Sequence, residues 1–318
     1  YYITKGMGEK WRPMAVFFSI AIIIALGCIG NMVQSNSISN AMHTAFGVPL
    51  VITGIVTAIL AGAVFFGGVA RLASVTEKIV PFMAAIYIIG GSYVIACHAG
   101  ELGNAFRLIF VAAFDPQAVM GGALGLTVAK AMQFGVARGL FSNEAGMGST
   151  PHAHAVAKVE HPAEQGLVAI FGVFATLIVV TFTGIVILVT GVLDFQSTGI
   201  ALTQKAYDVG LGSFGVSFVA ICLFFFAYST IIGWYFFAEQ NVRFLFSEKA
   251  LLPYRVIVCA FIIVGATLKV DLVWALADLF NGLMVIPNLI ALIALHKVVG
   301  NCLDDFEAKL AKYEKTSR

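Results

Sequence analysis

Long runs without any ionisable side chain alternate along this chain with short stretches that gather most of the charge. Residues 13–34, 48–70, 79–97, 166–191 and 210–238 each lack Asp, Glu, Lys, Arg and His. A membrane-spanning helix needs ~20 mostly apolar residues, whereas a strand of an outer-membrane barrel needs ~10 in alternation. The runs have the length of helices, which satisfy their own backbone hydrogen bonds in hydrocarbon. The pattern predicts an all-α integral membrane protein with eight spans: about 13–34, 48–70, 79–97, 126–150, 166–192, 214–238, 254–270 and 272–296. The fourth is interrupted by Lys130, Arg138 and Glu144, and the seventh is short, ending at Lys269.

Composition agrees. Of 318 residues, 60% are hydrophobic and 11% charged, with a mean hydropathy of +0.94. Soluble domains run about 45–50% apolar and about 25% charged. A soluble enzyme and a disordered chain are excluded. A net charge of +2 with no basic run also excludes a nucleic-acid binder. The five cysteines (Cys28, Cys97, Cys222, Cys259, Cys302) have neither metal nor redox spacing and read as apolar packing residues. No signal peptide is visible, and the chain opens on Tyr-Tyr rather than Met, so an N-terminal part is expected to be absent.

Charge sets the expected orientation. With the opening segment in the cytoplasm, inside loops hold fourteen of the 19 Lys and Arg, and outside loops hold only Arg107, Lys205 and Lys269. Lys130 and Arg138 fall within the fourth span. This positive-inside bias places both ends in the cytoplasm. Residues 98–123 form an external loop whose apolar stretch, 106–114, is too short to span and is expected to lie on the surface as a short helix. Residues 298–318 read as a polar, helix-prone cytoplasmic tail.

Polar residues inside such a bundle are the candidates for function. The densest break runs from Arg138 through Gly139, Ser142, Asn143, Glu144, Gly146 and Gly148 to Ser149. It fits a discontinuous helix whose unwound backbone and half-helix dipoles meet a bound ion or zwitterion. It also fits a fourth span that ends near Leu140 and continues as a cytoplasmic loop. In a second cluster, Thr230 and Trp234 are four apart and share a helix face, and the Ser229 and Thr230 hydroxyls suit sodium. Such hydroxyls equally often bond back to their own helix. Asn31 and Gln34, with Ser35, Asn36 and Ser37 following, are expected to mark the wet end of the first span rather than a vestibule. Asp278 serves either ion coupling or a helix–helix pair, and Pro287 suggests a kink in the same span. His152, His154 and His161 lack the spacing and carboxylate of a zinc site. Hydrolase, metalloprotease and nucleotide-binding motifs are missing.

The block Gly139-Leu-Phe-Ser-Asn-Glu-Ala-Gly-Met-Gly-Ser149, followed by Pro151-His-Ala-His154, resembles the signature of the alanine/glycine:cation symporter family. Four further segments agree in order: 1–6, 30–36, 229–234 and 281–290. The resemblance implies a leucine-transporter-type inverted-repeat bundle of which this chain holds core helices three to ten, the first two being absent. It implies import of alanine or glycine with co-transported sodium, or protons in some members, by alternating access, with no cofactor. Phe141, Ser142, Asn143 and Gly146 on the broken helix would then meet the substrate, closed by Thr230 and Trp234. Leu26, Asn31 and Gln34 would form a pocket wall, and Ser229 and Thr230 would ligate sodium. Glu144, Asp278 and Arg138 would serve coupling or structure. The alternatives are a passive channel or facilitator, an intramembrane enzyme, and a fragment with half a binding site.

Overall fold

The computed structural model describes residues 1–114, 128–144, 146–193 and 197–316, and every regular element among them is helical. After a short α1 (Tyr2–Met7), α2 (Arg12–Ile22) passes through a π-helical stretch, Ile23–Gly30, into α3 (Asn31–Phe46). Gly47, in the left-handed conformation at φ 69°, ends that helix. Then come α4 (Leu50–Phe65), α5 (Gly68–Cys97), α6 (Leu102–Phe114) and α7 (Val128–Asn143). A single turn, α8 (Pro151–His154), leads to α9 (Pro162–Val189), α10 (Ile200–Leu211), α11 (Ser213–Phe246), α12 (Leu251–Thr267) and α13 (Val270–Thr316). Pro162 lies in the first turn of α9, and the His161 ring accepts from the Ala163 amide at 3.2 Å, so cap and proline start that helix together.

Among the described residues, six segments are long and apolar enough to cross a membrane: Glu9–Phe46, Ala73–Cys97, Pro162–Val189, Ser213–Phe246, Glu248–Thr267 and Val270–Lys312. The second and fourth expected spans are shorter than anticipated. α4 is a 16-residue helix, about 24 Å long against a hydrocarbon core of about 30 Å, and the described part of α7 also covers 16 residues, ending seven short of the expected Thr150. α4 stops where Phe66 and Gly67 turn and Gly68 takes φ +72°, while α7 stops at the backbone reversal beginning with Glu144. The expected surface helix is present as α6, and residues 115–123 of that loop lie outside the described residues, as do 126–127 and Ala145 of the fourth expected span. α13 runs on through most of the expected tail; its last two residues also lie outside the description. There His161 meets Asp305 at 3.1 Å and stacks on Phe306.

The core is built around α11, which packs against α2, α3, α4, α5, α10 and α12. Phe65, Tyr235 and Tyr254 stack in series at 3.7 and 5.7 Å between ring centroids. α9, by contrast, turns most of its apolar side chains outward; Phe171 is 77% exposed. An outward apolar face on a helix this long suits contact with lipid.

The first span differs from expectation at its polar end. Asn31, Ser35, Asn36 and Ser39 are buried in α3 rather than wetted. Ser35 Oγ donates to the Ile262 carbonyl at 2.7 Å, and Asn36 Nδ2 donates to the carbonyls of Gly265 and Leu268 at 2.8 Å each. Small Gly265 lets the two backbones approach so closely that a Cβ there would lie 2.5 Å from Met32 Cα. The polar run is an interhelical seam, and the helix continues another three turns beyond Gln34.

Candidate functional site

Glu144 sits where α7 ends, with φ 51°, and Gly146 and Gly148 follow at φ +78° and +76°. Three left-handed residues within five cannot continue a helix. A Cβ on Gly148 would come within 2.7 Å of the Asn288 side chain, so glycine is required there by both conformation and space. The unwound stretch is tied down by its neighbours. Asn288 Nδ2 donates to the Gly146 carbonyl at 2.9 Å, and Tyr2 donates its hydroxyl to Asn288 Oδ1 at 2.6 Å. His152 bonds the Ser149 carbonyl through Nδ1 at 2.8 Å, and its Nε2 meets Asn241 Nδ2 at 2.9 Å.

Side chains converge on this break. The Glu144 carboxylate accepts from the Ser149 hydroxyl through one oxygen and from the Trp234 indole N–H through the other. Phe141 packs edge-on against Trp234, with centroids 5.2 Å apart, and also lies 5.0 Å from Trp274. Gly30, at the end of the π-helical stretch, sits under the Trp234 ring; a Cβ there would be 2.6 Å from ring carbons. A π-helical segment inside an α-helix is frequent at functional sites. Leu26 and Asn31, both fully buried, lie on or beside that segment, while Gln34 is half-buried one turn further along. Of the expected residues, Phe141, Glu144 and Trp234 are therefore in one contact chain, with Asn31 directly following Gly30.

Ser142, Asn143, Glu144 and Gly146 line a cavity of about 510 Å³ together with Asn288, His154 and the α9 residues 168–176. Asn143 Nδ2 donates to the Gly139 carbonyl at 3.2 Å, and Asn31 Nδ2 donates to the Gly27 carbonyl at 3.0 Å. The Oδ1 atoms of both asparagines are buried without a hydrogen-bond partner among the described residues. Buried polar atoms normally find partners, so such acceptors are places for a donor or a cation.

Ser229 and Thr230 both donate to the Phe226 carbonyl, at 2.8 and 3.0 Å. Their protons are thus spent within α11, and their oxygen lone pairs are left as acceptors. Arg138 and Asp278, which the sequence left between coupling and packing, form a two-armed pair at 3.0 and 2.8 Å that joins α7 to α13. The Arg138 guanidinium also lies over the Trp274 ring at 4.2 Å. The histidines are dispersed: His154 meets Gln165 at 2.7 Å, and His161 caps α9. No cluster of three metal-ligating side chains occurs among the described residues.

Sequence reasoning missed Glu239. It is 1% exposed on α11, with Arg243 at 2.8 Å and Arg255 at 3.8 Å. Arg243, one turn away on the same helix, was the signal available; Arg255 on α12 is apparent only in three dimensions.

The described elements form a bundle of helices, several of them long and apolar enough to cross a membrane, with an unwound polar stretch following α7. The chain belongs to the sodium:alanine symporter family, whose profile matches residues 1–318. A family of symporters is a family of transporters rather than enzymes. The chain is 41% identical over 309 residues to a sodium/alanine symporter of Methanococcus maripaludis, covering 94% of this chain and 66% of that protein. A Bacillus subtilis protein named "Probable sodium/glutamine symporter" is 42% identical over 309 residues, covering 96% and 63%. An amino-acid carrier protein of the same bacterium is 38% identical over 308 residues, covering 96% and 65%. The chain thus spans about two thirds of the length of these relatives.

Proposed function

We propose that this protein is a sodium-coupled symporter that imports a small neutral amino acid, alanine or glycine, across the cell membrane by alternating access. Family membership supports the class. The observation that carries the site is the unwound segment from Glu144 to Ser149, flanked by the unpartnered Asn143 Oδ1 and closed by Phe141 and Trp234.

In this reading the bundle is of the leucine-transporter inverted-repeat type and forms one transporter domain. Both ends face the cytoplasm, and residues 298–318 form a polar tail. The substrate lies against Ser142, Asn143 and Gly146, whose unwound backbone offers groups for its carboxylate and ammonium. Phe141, Thr230 and Trp234 leave room for a small side chain only. Leu26, Asn31 and Gln34 form the opposite wall, where the Asn31 oxygen accepts from a donor. Sodium takes hydroxyl oxygens of Ser229 and Thr230, whose protons already point at Phe226. Arg138 and Asp278 hold α7 to α13 while Glu144 shapes the break. Filling these acceptors stabilises the closed arrangement, and the bundle then opens inward. The membrane potential adds ~2.3 kcal/mol per charge per 100 mV.

The test is uptake of labelled alanine into proteoliposomes with and without an inward sodium gradient, with glycine and glutamine as competitors. Uptake is expected to require sodium and to be suppressed by glycine. Equal rates without any cation gradient would make the protein a passive facilitator. Stronger competition by glutamine than by glycine would overturn the small-substrate assignment.

A further inference from the structure

We propose that Glu144 is a proton-binding site of the transport cycle, taking its proton on Oε2 against Ser149 while Oε1 keeps its bond to the Trp234 indole. The inference rests on the coupled-transporter reading above and adds a residue and an atom to it.

The two partners of the carboxylate differ in chemistry. An indole N–H only donates, so the oxygen facing it must accept whether or not the carboxyl group is protonated. A serine hydroxyl donates or accepts by rotation. With Glu144 ionised, Ser149 donates to Oε2 and Trp234 donates to Oε1. When a proton arrives from water in the adjoining cavity, a new O–H bond forms on Oε2 and the donor water is left one proton poorer. The Glu144 O–H then donates to Ser149 Oγ, which has turned from donor to acceptor, and the bond to Trp234 persists. The joint between the break and α11 survives both states while its charge changes by one.

The surroundings leave the charge free to change. None of the ion pairs among the described residues includes Glu144. A lysine or arginine there would fix the anion. The residues that the surrounding elements present to the group or to its cavity are neutral: Trp234 from α11, Asn288 from α13, and the α9 wall from Val168 to Thr176. The titratable group sharing the cavity is His154 on α8, and burial holds its imidazole toward the neutral form. His152 bonds the backbone of Ser149, not the carboxylate. The cavity of about 510 Å³ has room for the water that brings and removes the proton. A charge that appears and disappears beside Phe141 and Trp234 changes the electrostatics of the site that opens and closes.

Infrared difference spectra of the purified protein, recorded over its stable pH range, test the proton site without requiring transport. In the difference between wild type and Glu144→Gln, which cancels the other sixteen of the 17 Asp and Glu side chains, a carboxylic-acid C=O band is expected to grow in as the pH falls. Ser149→Ala, which removes the hydroxyl facing Oε2, is expected to displace the midpoint of that band. In sodium-driven alanine uptake the wild type is expected to respond to pH, and Glu144→Gln to vary by less than about twofold, because its amide imitates the protonated acid at both partners. The same band intensities in wild type and Glu144→Gln at every pH, leaving no pH-dependent C=O band in their difference, overturn the proposal. If Glu144→Gln does not fold, a band midpoint unmoved by Ser149→Ala overturns it instead. A Glu144 band in a protein without sodium-dependent uptake would leave the proton site standing and remove the symport reading.

Discussion

Trp234 shows how much of the site depends on single atoms. Its ring is fixed from below by the bare backbone of Gly30, from the side by the edge of Phe141, and at its nitrogen by Glu144. Trp234→Phe keeps an aromatic body but removes the N–H, stranding Oε1 of a carboxylate beside apolar groups. A hydrogen bond to a charged group contributes about 1.5–3 kcal/mol. Alanine uptake by Trp234→Phe, read as kcat/KM, is therefore expected to fall about ten- to a hundredfold. A variant within about twofold of wild type would show that the indole–carboxylate bond does not shape the site. Phe141, Glu144 and Trp234 were each conspicuous in the sequence, two through the motif and one as a charge inside an apolar run. Their junction was not legible, because Glu144 and Trp234 are 90 positions apart and only packing brings them together.

At the scale of elements, α3 is where pattern reading failed, and the reason is physical. A cluster of amides and hydroxyls after an apolar run signals either water or a partner helix, and composition is the same in both cases. Here the partner is α12: its end carbonyl at Gly265, which also accepts from the Leu268 N–H at 3.4 Å, and the carbonyl of Leu268 just past its end both receive Asn36 Nδ2. Interhelical hydrogen bonds in membranes average ~0.6 kcal/mol and reach ~1.7. With two of them made by one amide, Asn36→Ala is expected to lower stability by about 1–2 kcal/mol. The measurement is unfolding of the detergent-solubilised protein, followed by a probe that separates folded from unfolded forms. Wild-type stability in the variant would mean that water replaces the amide and that the end of α3 is wet after all. The unwound stretch after Asn143 was more legible than this seam, since three glycines and several short polar residues gather around it in the sequence. The shortness of α4 was not, because hydropathy marks apolar composition and does not mark where a backbone turns.

Across the whole molecule, run length and charge placement were enough for an all-helical membrane protein, whereas its internal fastening had to be seen. The break is fastened to α11 twice, once by Glu144 and once by His152, and the second fastening makes stability depend on pH. Asn241 Nδ2 donates to the Phe237 carbonyl and meets His152 Nε2, so that ring nitrogen must accept. Nδ1 then carries the ring's proton and donates to the Ser149 carbonyl. A second proton on Nε2 would face an amide N–H. Burial, the largest influence, favours the neutral ring and outweighs the bond to the Ser149 carbonyl, which favours the charged one, so the His152 pKa is lowered from its ordinary 6.5. The unfolded chain therefore takes up this proton at higher pH than the folded one. The stabilisation is fully present above about pH 6.5 and is lost as pH falls below it toward the folded-state value. Thermal midpoints measured at a series of pH values are expected to decline through that window, and the decline is expected to be shallower in His152→Gln. The difference between wild type and variant isolates this one group from carboxylates that titrate lower. Parallel curves would mean that the ring is not held neutral between Ser149 and Asn241.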